Sequence, residues 1–407
     1  MYSFNEIIIG SGVAGCRLAL ELTKRGHKVL MLERGREVEV SRAYLCYDVV
    51  RTTGVELWRV IGVGGSALAS LGNANTPLVE DLKSLGVDIS DEVNEIKEEL
   101  RPTAISNSFL GDRAKLLIES ANKVGLRHQT AYKLIRLEEC RGCGLCAFGC
   151  PVSCKWTPLN DLEVAKSHDV KLITNFHLNS IAKRNGVWLV KGLVNGVEKC
   201  FEAVRVIVSA GALETPRILK MANILNAGEK LFADVFITVG GPLHGRRFRD
   251  EVPMTFYIKL DPQVTLYPHI STFLLPYLAS KGVFTTKEEL LGIMVKIADD
   301  CCGKVGDYVE KSLTPSDLRK LKKGEEIAID ILAAAGVNEK EIAVTHPRGV
   351  HLGGSAAIGD VVNYEMETEI SGLYVCDGSV LPKAPGAPPI MTILALAKKL
   401  AKAICEE

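Results

Sequence analysis

The sequence predicts an α/β protein: a nucleotide-binding domain on a parallel sheet, joined to a smaller α+β domain that faces substrate. Three observations lead there. An apolar N-terminal run breaks into a glycine turn and then a helical pattern. Apolar strands ending in small residues return near residues 204 and 373. Residues 226–345 differ, with alternating strands, charged helices and a concentration of aromatic residues.

The first strand is Phe4 to Ile9, and it runs into Gly10-x-Gly12-x-x-Gly15. Leu18, Leu20 and Leu22 carry the helical pattern, and a second apolar run from Lys28 to Leu32 ends in Glu33. Strand, glycine turn, helix, strand and acid form the Rossmann-type dinucleotide fingerprint. Gly10 permits the tight turn, Gly12 lets backbone approach a pyrophosphate, and Gly15 lets the helix lie close to the sheet. The helix dipole favours the pyrophosphate, and Glu33 is placed to accept from the adenosine ribose. The fingerprint alone leaves FAD and NAD both open.

The 407 residues exceed one compact core, so two domains are expected. Lys+Arg and Asp+Glu balance at 49 each, which argues against a nucleic-acid or membrane-surface partner. No stretch reaches the roughly 20 apolar residues of a membrane helix. With the first strand starting at about residue 4, no signal peptide and a cytoplasmic location are expected.

Further along, Gly64-Gly65-Ser66 and on to Asn73 form a small-residue loop whose amides can face an anion or a ring edge. Residues 79–100 and 111–125 read as solvated helices. Strands are expected at 170–174, 178–181 and 187–190, with a hairpin turn at Asn195-Gly196. The run from Val204 ends in Ser209-Ala210-Gly211-Ala212 and leads into a helix. In the second domain, strands are expected over 255–260 and 268–274 and a helix over 315–335. The segment Thr345-His346-Pro347-Arg348-Gly349-Val350-His351 follows, then Leu373 to Asp377-Gly378 and a last helix opening after Pro389. These divide the chain at 1–135, 136–158, 159–225, 226–345 and 346–407, the first, third and fifth segments sharing the nucleotide domain.

Segment 136–158 holds five of the twelve cysteines. Cys140, Cys143, Cys146 and Cys150 with Pro151 reproduce the C-x2-C-x2-C-x3-C-P run of bacterial ferredoxins, and Cys154 follows. A [4Fe-4S] cluster held by Cys140, Cys143 and Cys146, completed by Cys150, Cys154 or a distant cysteine, is the first expectation. Zinc is the rival, because four thiolates suit it as well. A metal-free thiol loop is the third reading.

Together these motifs resemble the glucose–methanol–choline (GMC) family of FAD oxidoreductases along nearly the whole chain. The resemblance is carried by Gly10–Gly15 with Glu33-Arg34-Gly35, Gly64-Gly65-Ser66, Ser209 to Pro216, His346-Pro347-x-Gly349 and Leu373 to Pro382. Residues 299–305 and 311–314 look most like the long-chain alcohol oxidase and cholesterol-oxidase-like branches. The resemblance implies FAD. It puts Gly10, Gly12, Gly15, Glu33 and Arg34 at the ADP half and the backbone of Leu178 at adenine. Gly64, Gly65, Ser66, Asn73, Ala210, Gly211, Asp377 and Gly378 fall along the cofactor, and Pro389, Met391 and Thr392 approach its ring. His346 matches the family's catalytic base, with His351 as a second polar group. Pro388 stands where the family carries Asn or His, and the chain's shortness implies a reduced cap. The leading expectation is an FAD dehydrogenase or reductase of an alcohol, carbonyl or lipid-like small molecule, exchanging electrons through the cluster with a ferredoxin-like carrier. An FAD-only alcohol dehydrogenase and a non-catalytic electron-transfer subunit are the alternatives.

Overall fold

A computed structural model describes residues 3–406. Its strands form two large sheets. In the first, Ser3–Ile9 lies between Val29–Leu32 and Val197–Val208, parallel to both, with Lys171–Ile173 parallel beyond. Leu373–Val375 adds in parallel at the far end of Val197–Val208. Within them Ile7–Ile9, Val29–Leu32, Val206–Val208 and Leu373–Val375 are buried, which is where the apolar runs lie. Phe176–Arg184 and Val187–Val194 extend the sheet antiparallel. The turn from Val194 to Val197 has φ of 50° at Asn195 and 81° at Gly196, as a two-residue hairpin requires.

Helices Val13–Thr23 and Ile390–Glu406 pack together beneath this sheet and share one core. Buried Arg17 ties the first of them to its neighbours, 2.7 Å from Glu99 and 2.9 Å from Asp161. Lys398 on the last helix lies 2.9 Å from Glu95.

The second sheet centres on the antiparallel pair Phe236–Pro242 and Leu290–Ile297. Val264–Pro268 and Phe256–Asp261 continue it on one side, Arg348–Gly349 and Glu56–Val60 on the other. The helix Pro315–Ala334 covers it, started by a reciprocal cap between Thr314 and Asp317. The helix lies so close at Gly324 that a Cβ there would stand 2.2 Å from the Val295 side chain.

Two expectations need correction. The helix expected over 79–100 is two, Val79–Ser84 and Ser90–Leu100, because the chain turns at Gly86 with φ of 93°. The strand expected over 268–274 lies at Val264–Pro268 instead. The amides of Leu274 and Leu275 bond back to Ser271 and Thr272, which starts the helix Leu274–Ser280. Among the described residues no helix is long and apolar enough to cross a membrane.

Candidate active site and cysteine cavity

A cavity of about 1100 Å3 is lined from both sheets. Gly10, Gly12, Glu33, Arg34, Gly65, Ser66, Asn73, Leu178, Ala210, Gly211, Asp377, Gly378 and Pro389 all line it. At the glycine turn the geometry explains each residue. A Cβ on Gly10 would stand 2.3 Å from Ser209 O, and one on Gly15 would stand 2.1 Å from Gly10 O. Gly12 would meet nothing within 4 Å, so its bare backbone faces open cavity. The Glu33 carboxylate accepts from Ser11 N at 3.0 Å, Ser11 Oγ at 2.7 Å and Gly35 N at 2.7 Å. Asp377 ties two chain segments together, accepting from Gly211 N at 2.8 Å, Thr215 Oγ1 at 2.6 Å and Ser379 N at 2.7 Å.

Four expected cofactor residues lie behind the lining. Gly15 serves helix packing, as its role requires. Gly64 donates its amide to Ser11 O at 2.9 Å and so joins two loops. Met391 is fully buried with Ala67, Ile96 and Leu134, and Thr392 Oγ1 donates to Pro77 O at 2.7 Å. Helical spacing is the reason: Ile390 and Ile393 take the cavity face of that helix, which turns 391 and 392 away.

The two histidines sit differently. His346 is exposed, its backbone amide lies 3.2 Å from Tyr277 Oη, and it does not line the cavity. Pro347 and the short strand Arg348–Gly349 carry the chain inward, so the cavity receives Arg348, Val350 and His351. His351 Nδ1 is 2.7 Å from Asp234 Oδ2. Asp234 is wholly buried; it also pairs with Lys296 Nζ at 2.6 Å and accepts from Gly386 N at 2.6 Å. Its φ of 54° is unusual for a side-chain-bearing residue and is held by these partners. Burial, then the nearby Lys296 charge, pushes His351 below the usual histidine range against the pull of Asp234.

His269 also lines the cavity, with Nδ1 3.0 Å from Thr238 Oγ1. Burial, aided by the Arg348 charge, pushes it down to about 4. The Arg348 guanidinium stacks 4.0 Å from the Phe273 ring centre and bonds Glu56 at 3.3 Å. Sequence reasoning missed Asp234, Lys296, His269 and Arg348. A signal existed for two of them: Asp234 and Lys296 each interrupt an otherwise apolar run, Leu231–Phe236 and Leu290–Ile297.

Cys140, Cys143, Cys146, Cys150 and Cys154 all line a second, small cavity. Its free space is about 10 Å3, room for roughly one water. Cys150 Sγ and Cys154 Sγ lie 3.6 Å apart. Among the described residues no group of three or more His, Cys, Asp or Glu is arranged to hold a metal ion. Residues Gly144, Leu145, Ala147 and Phe148 of the same loop line the large cavity, so the loop separates the two. Two buried lysines sit behind it. Lys155 Nζ donates to Leu68 O at 2.8 Å, Ser70 O at 2.6 Å and Cys146 O at 2.9 Å. Lys133 Nζ donates to Leu71 O at 3.1 Å, Pro253 O at 2.7 Å and Asn73 Oδ1. Burial pushes Lys133 down to about 7 and Lys155 to about 8, while neighbouring thiols pull the other way.

Fold and cavity together define a two-sheet, nucleotide-dependent α/β oxidoreductase. The GMC oxidoreductase family matches residues 86–246 and 299–397, and an FAD-binding domain description matches residues 6–44. An uncharacterized protein of Methanocaldococcus jannaschii is 36% identical over 99% of this chain and 100% of its own. A long-chain-alcohol oxidase of Arabidopsis thaliana is 22% identical, covering 97% of this chain and 67% of its own. Pyridoxine 4-oxidase from Mesorbium loti shares the fold with a TM-score of 0.75 at 14% identity, covering 98% of this chain and 99% of its own. The chain belongs to the GMC oxidoreductase family and is an FAD-dependent oxidoreductase. The matched descriptions speak for FAD and say nothing of a metal at the cysteines.

Proposed function

We propose that the protein dehydrogenates a CH–OH donor, with His351 as the base that takes the hydroxyl proton. The observation that carries this is the His351–Asp234–Lys296 chain in the wall of the large cavity. The Asp234 carboxylate can only accept, so His351 Nδ1 carries the hydrogen and Nε2 keeps its lone pair. Lys296 anchors Asp234, and burial with the Lys296 charge keeps the imidazole neutral, the form a base needs. An alcohol hydroxyl is too weak an acid to ionise unaided, so a positioned acceptor at Nε2 is what the reaction lacks without the protein. The same group returns the proton if a carbonyl is reduced.

The glycine turn fits FAD: the uncluttered backbone at Gly12 would hold the pyrophosphate, and Glu33, Leu178 and Pro389, which line the same cavity, would hold the rest of the cofactor. Bound FAD supplies the acceptor for the hydride that leaves the carbinol carbon. Trp58, Phe236, Met254, Phe273 and Met294 in the lining support an apolar, lipid-like alcohol.

The test is a pair of variants with FAD content followed by absorbance. His351→Gln should lose activity by about 100-fold or more while keeping FAD, and His346→Ala should stay within about threefold of wild type. Activity that survives in His351→Gln and vanishes in His346→Ala would sink this assignment.

A second reading adds an electron exit: a cluster at the five cysteines passing electrons to a ferredoxin-like carrier. What favours it is that all five thiols line one cavity behind the wall of the large one. Iron and acid-labile sulfide, assayed on protein purified without oxygen, decide it; flavin without either excludes the exit.

A further inference from the structure

Among the described residues, Lys133, Lys155, Lys296, Lys311 and Lys398 are the buried lysines. Three have a carboxylate at ion-pair distance: Lys296 with Asp234 at 2.6 Å, Lys311 with Asp299 at 2.7 Å and Lys398 with Glu95 at 2.9 Å. Lys133 and Lys155 bond only neutral oxygens: backbone carbonyls and the Asn73 amide. An ammonium in a dry interior is strongly unfavourable: either it gives up its proton or an anion beside it keeps it charged. Both of these lysines adjoin the cysteine cavity. Lys155 lines it, and Lys133 bonds the carbonyl of Pro253, which lines it too.

We infer that the cysteine cavity takes a metal–thiolate centre with two net negative charges, and that Lys133 and Lys155 are its counter-ions. The inference rests on reading these cysteines as a ligand set, as the electron-exit proposal does, and does not require iron. A dication held by four thiolates carries two negative charges, and so does an oxidised four-iron cluster held by four thiolates. Two ammoniums balance either. The 3.6 Å between Cys150 Sγ and Cys154 Sγ is close to the edge of a tetrahedral thiolate site, roughly 3.8 Å for metal–sulfur bonds of about 2.3 Å. A cube needs the thiols to turn further apart. For a dication, binding is ligand exchange: four S–H protons leave to solvent, four metal–sulfur bonds replace metal–water bonds, and no electrons move; a cube forms without electron transfer only from two ferrous ions, two ferric ions and four sulfides.

The experiment uses the full-length FAD protein, purified without oxygen and challenged with zinc alone or with iron plus sulfide. Bound metal is measured after gel filtration, and affinity by competition with a chelator. Wild type should retain one centre. Lys133→Gln and Lys155→Gln keep hydrogen-bond donors but remove charge, and together should weaken binding at least tenfold with FAD absorbance unchanged. Iron with sulfide supports both this inference and the electron exit. Zinc alone supports the inference and ends the electron exit. Wild type that binds neither metal overturns the inference without any variant. So does a folded Gln double variant that holds metal as tightly as wild type.

Discussion

At Lys296 and Lys311 a buried ammonium sits 2.6 and 2.7 Å from a carboxylate of the same chain. At Lys133 and Lys155 an equally buried amine meets only neutral oxygens. The first pair is neutral once the chain has folded. The second has no carboxylate in the chain, so burial pulls its protons off more easily and a charged form needs an anion from outside. The contrast separates the His351 side of the large cavity, where the fold itself supplies the carboxylates, from the cysteine cavity, where it supplies none.

The largest test breaks a self-neutralised pair. Asp299→Asn leaves Lys311 buried beside an amide and weakens the acceptor for Ala233 N and Val235 N. It should destabilise the protein by about 3–5 kcal/mol in urea unfolding, whether or not metal is present. A loss under about 1 kcal/mol would mean that these pairs are not what neutralises the interior.

Metal removal should act on the other region alone. Stripping the centre should lower stability by about 2.7 kcal/mol when free metal had stood at about 100 times its dissociation constant. A metal-independent unfolding midpoint would leave the two lysine pairs without the difference argued for them.

A smaller effect comes from pH. His269 is held down to about 4 and His351 also lies below the usual histidine value near 6.5. Below pH 6.5 the unfolded chain takes up protons that these half-buried rings refuse. Stability is therefore fully present above about 6.5 and declines as pH falls toward 4, by on the order of 1–3 kcal/mol. His269→Gln should flatten urea midpoints across that window. An unchanged slope would remove His269 from the set of half-buried neutral groups. For the same reason the acid limb of kcat/KM should lie below pH 6.5.

Much of the scaffold could be read from the chain because its determinants are local. The Gly10–Gly15 turn, the Asn195-Gly196 hairpin and the capped helix from Pro315 each need only a few neighbouring residues. Gly86 and the turn after Pro268 misled because one backbone break outweighs a pattern that otherwise continues. The cavity wall around His351 was harder. Asp234 and Lys296 meet only because Phe236 pairs with Lys296 across two antiparallel strands. The resemblance pointed to His346, five residues before the histidine that enters the cavity; the inward step at Arg348–Gly349 decides between them and depends on pairing with Glu56–Leu57. The cysteine spacing was plain, but its two lysines carry no local signature.

The loop from Gly144 to Phe148 faces two ways. Cys146 points into the small cavity, while Leu145 and Phe148 are exposed beside the large one and line it. One short piece of chain is thus both a jaw on the sulfur side and a doorpost on the substrate side. Whatever draws the thiols together also sets the width of that doorway, so the choice of alcohol and the occupancy of the cysteines would be read out by the same few residues.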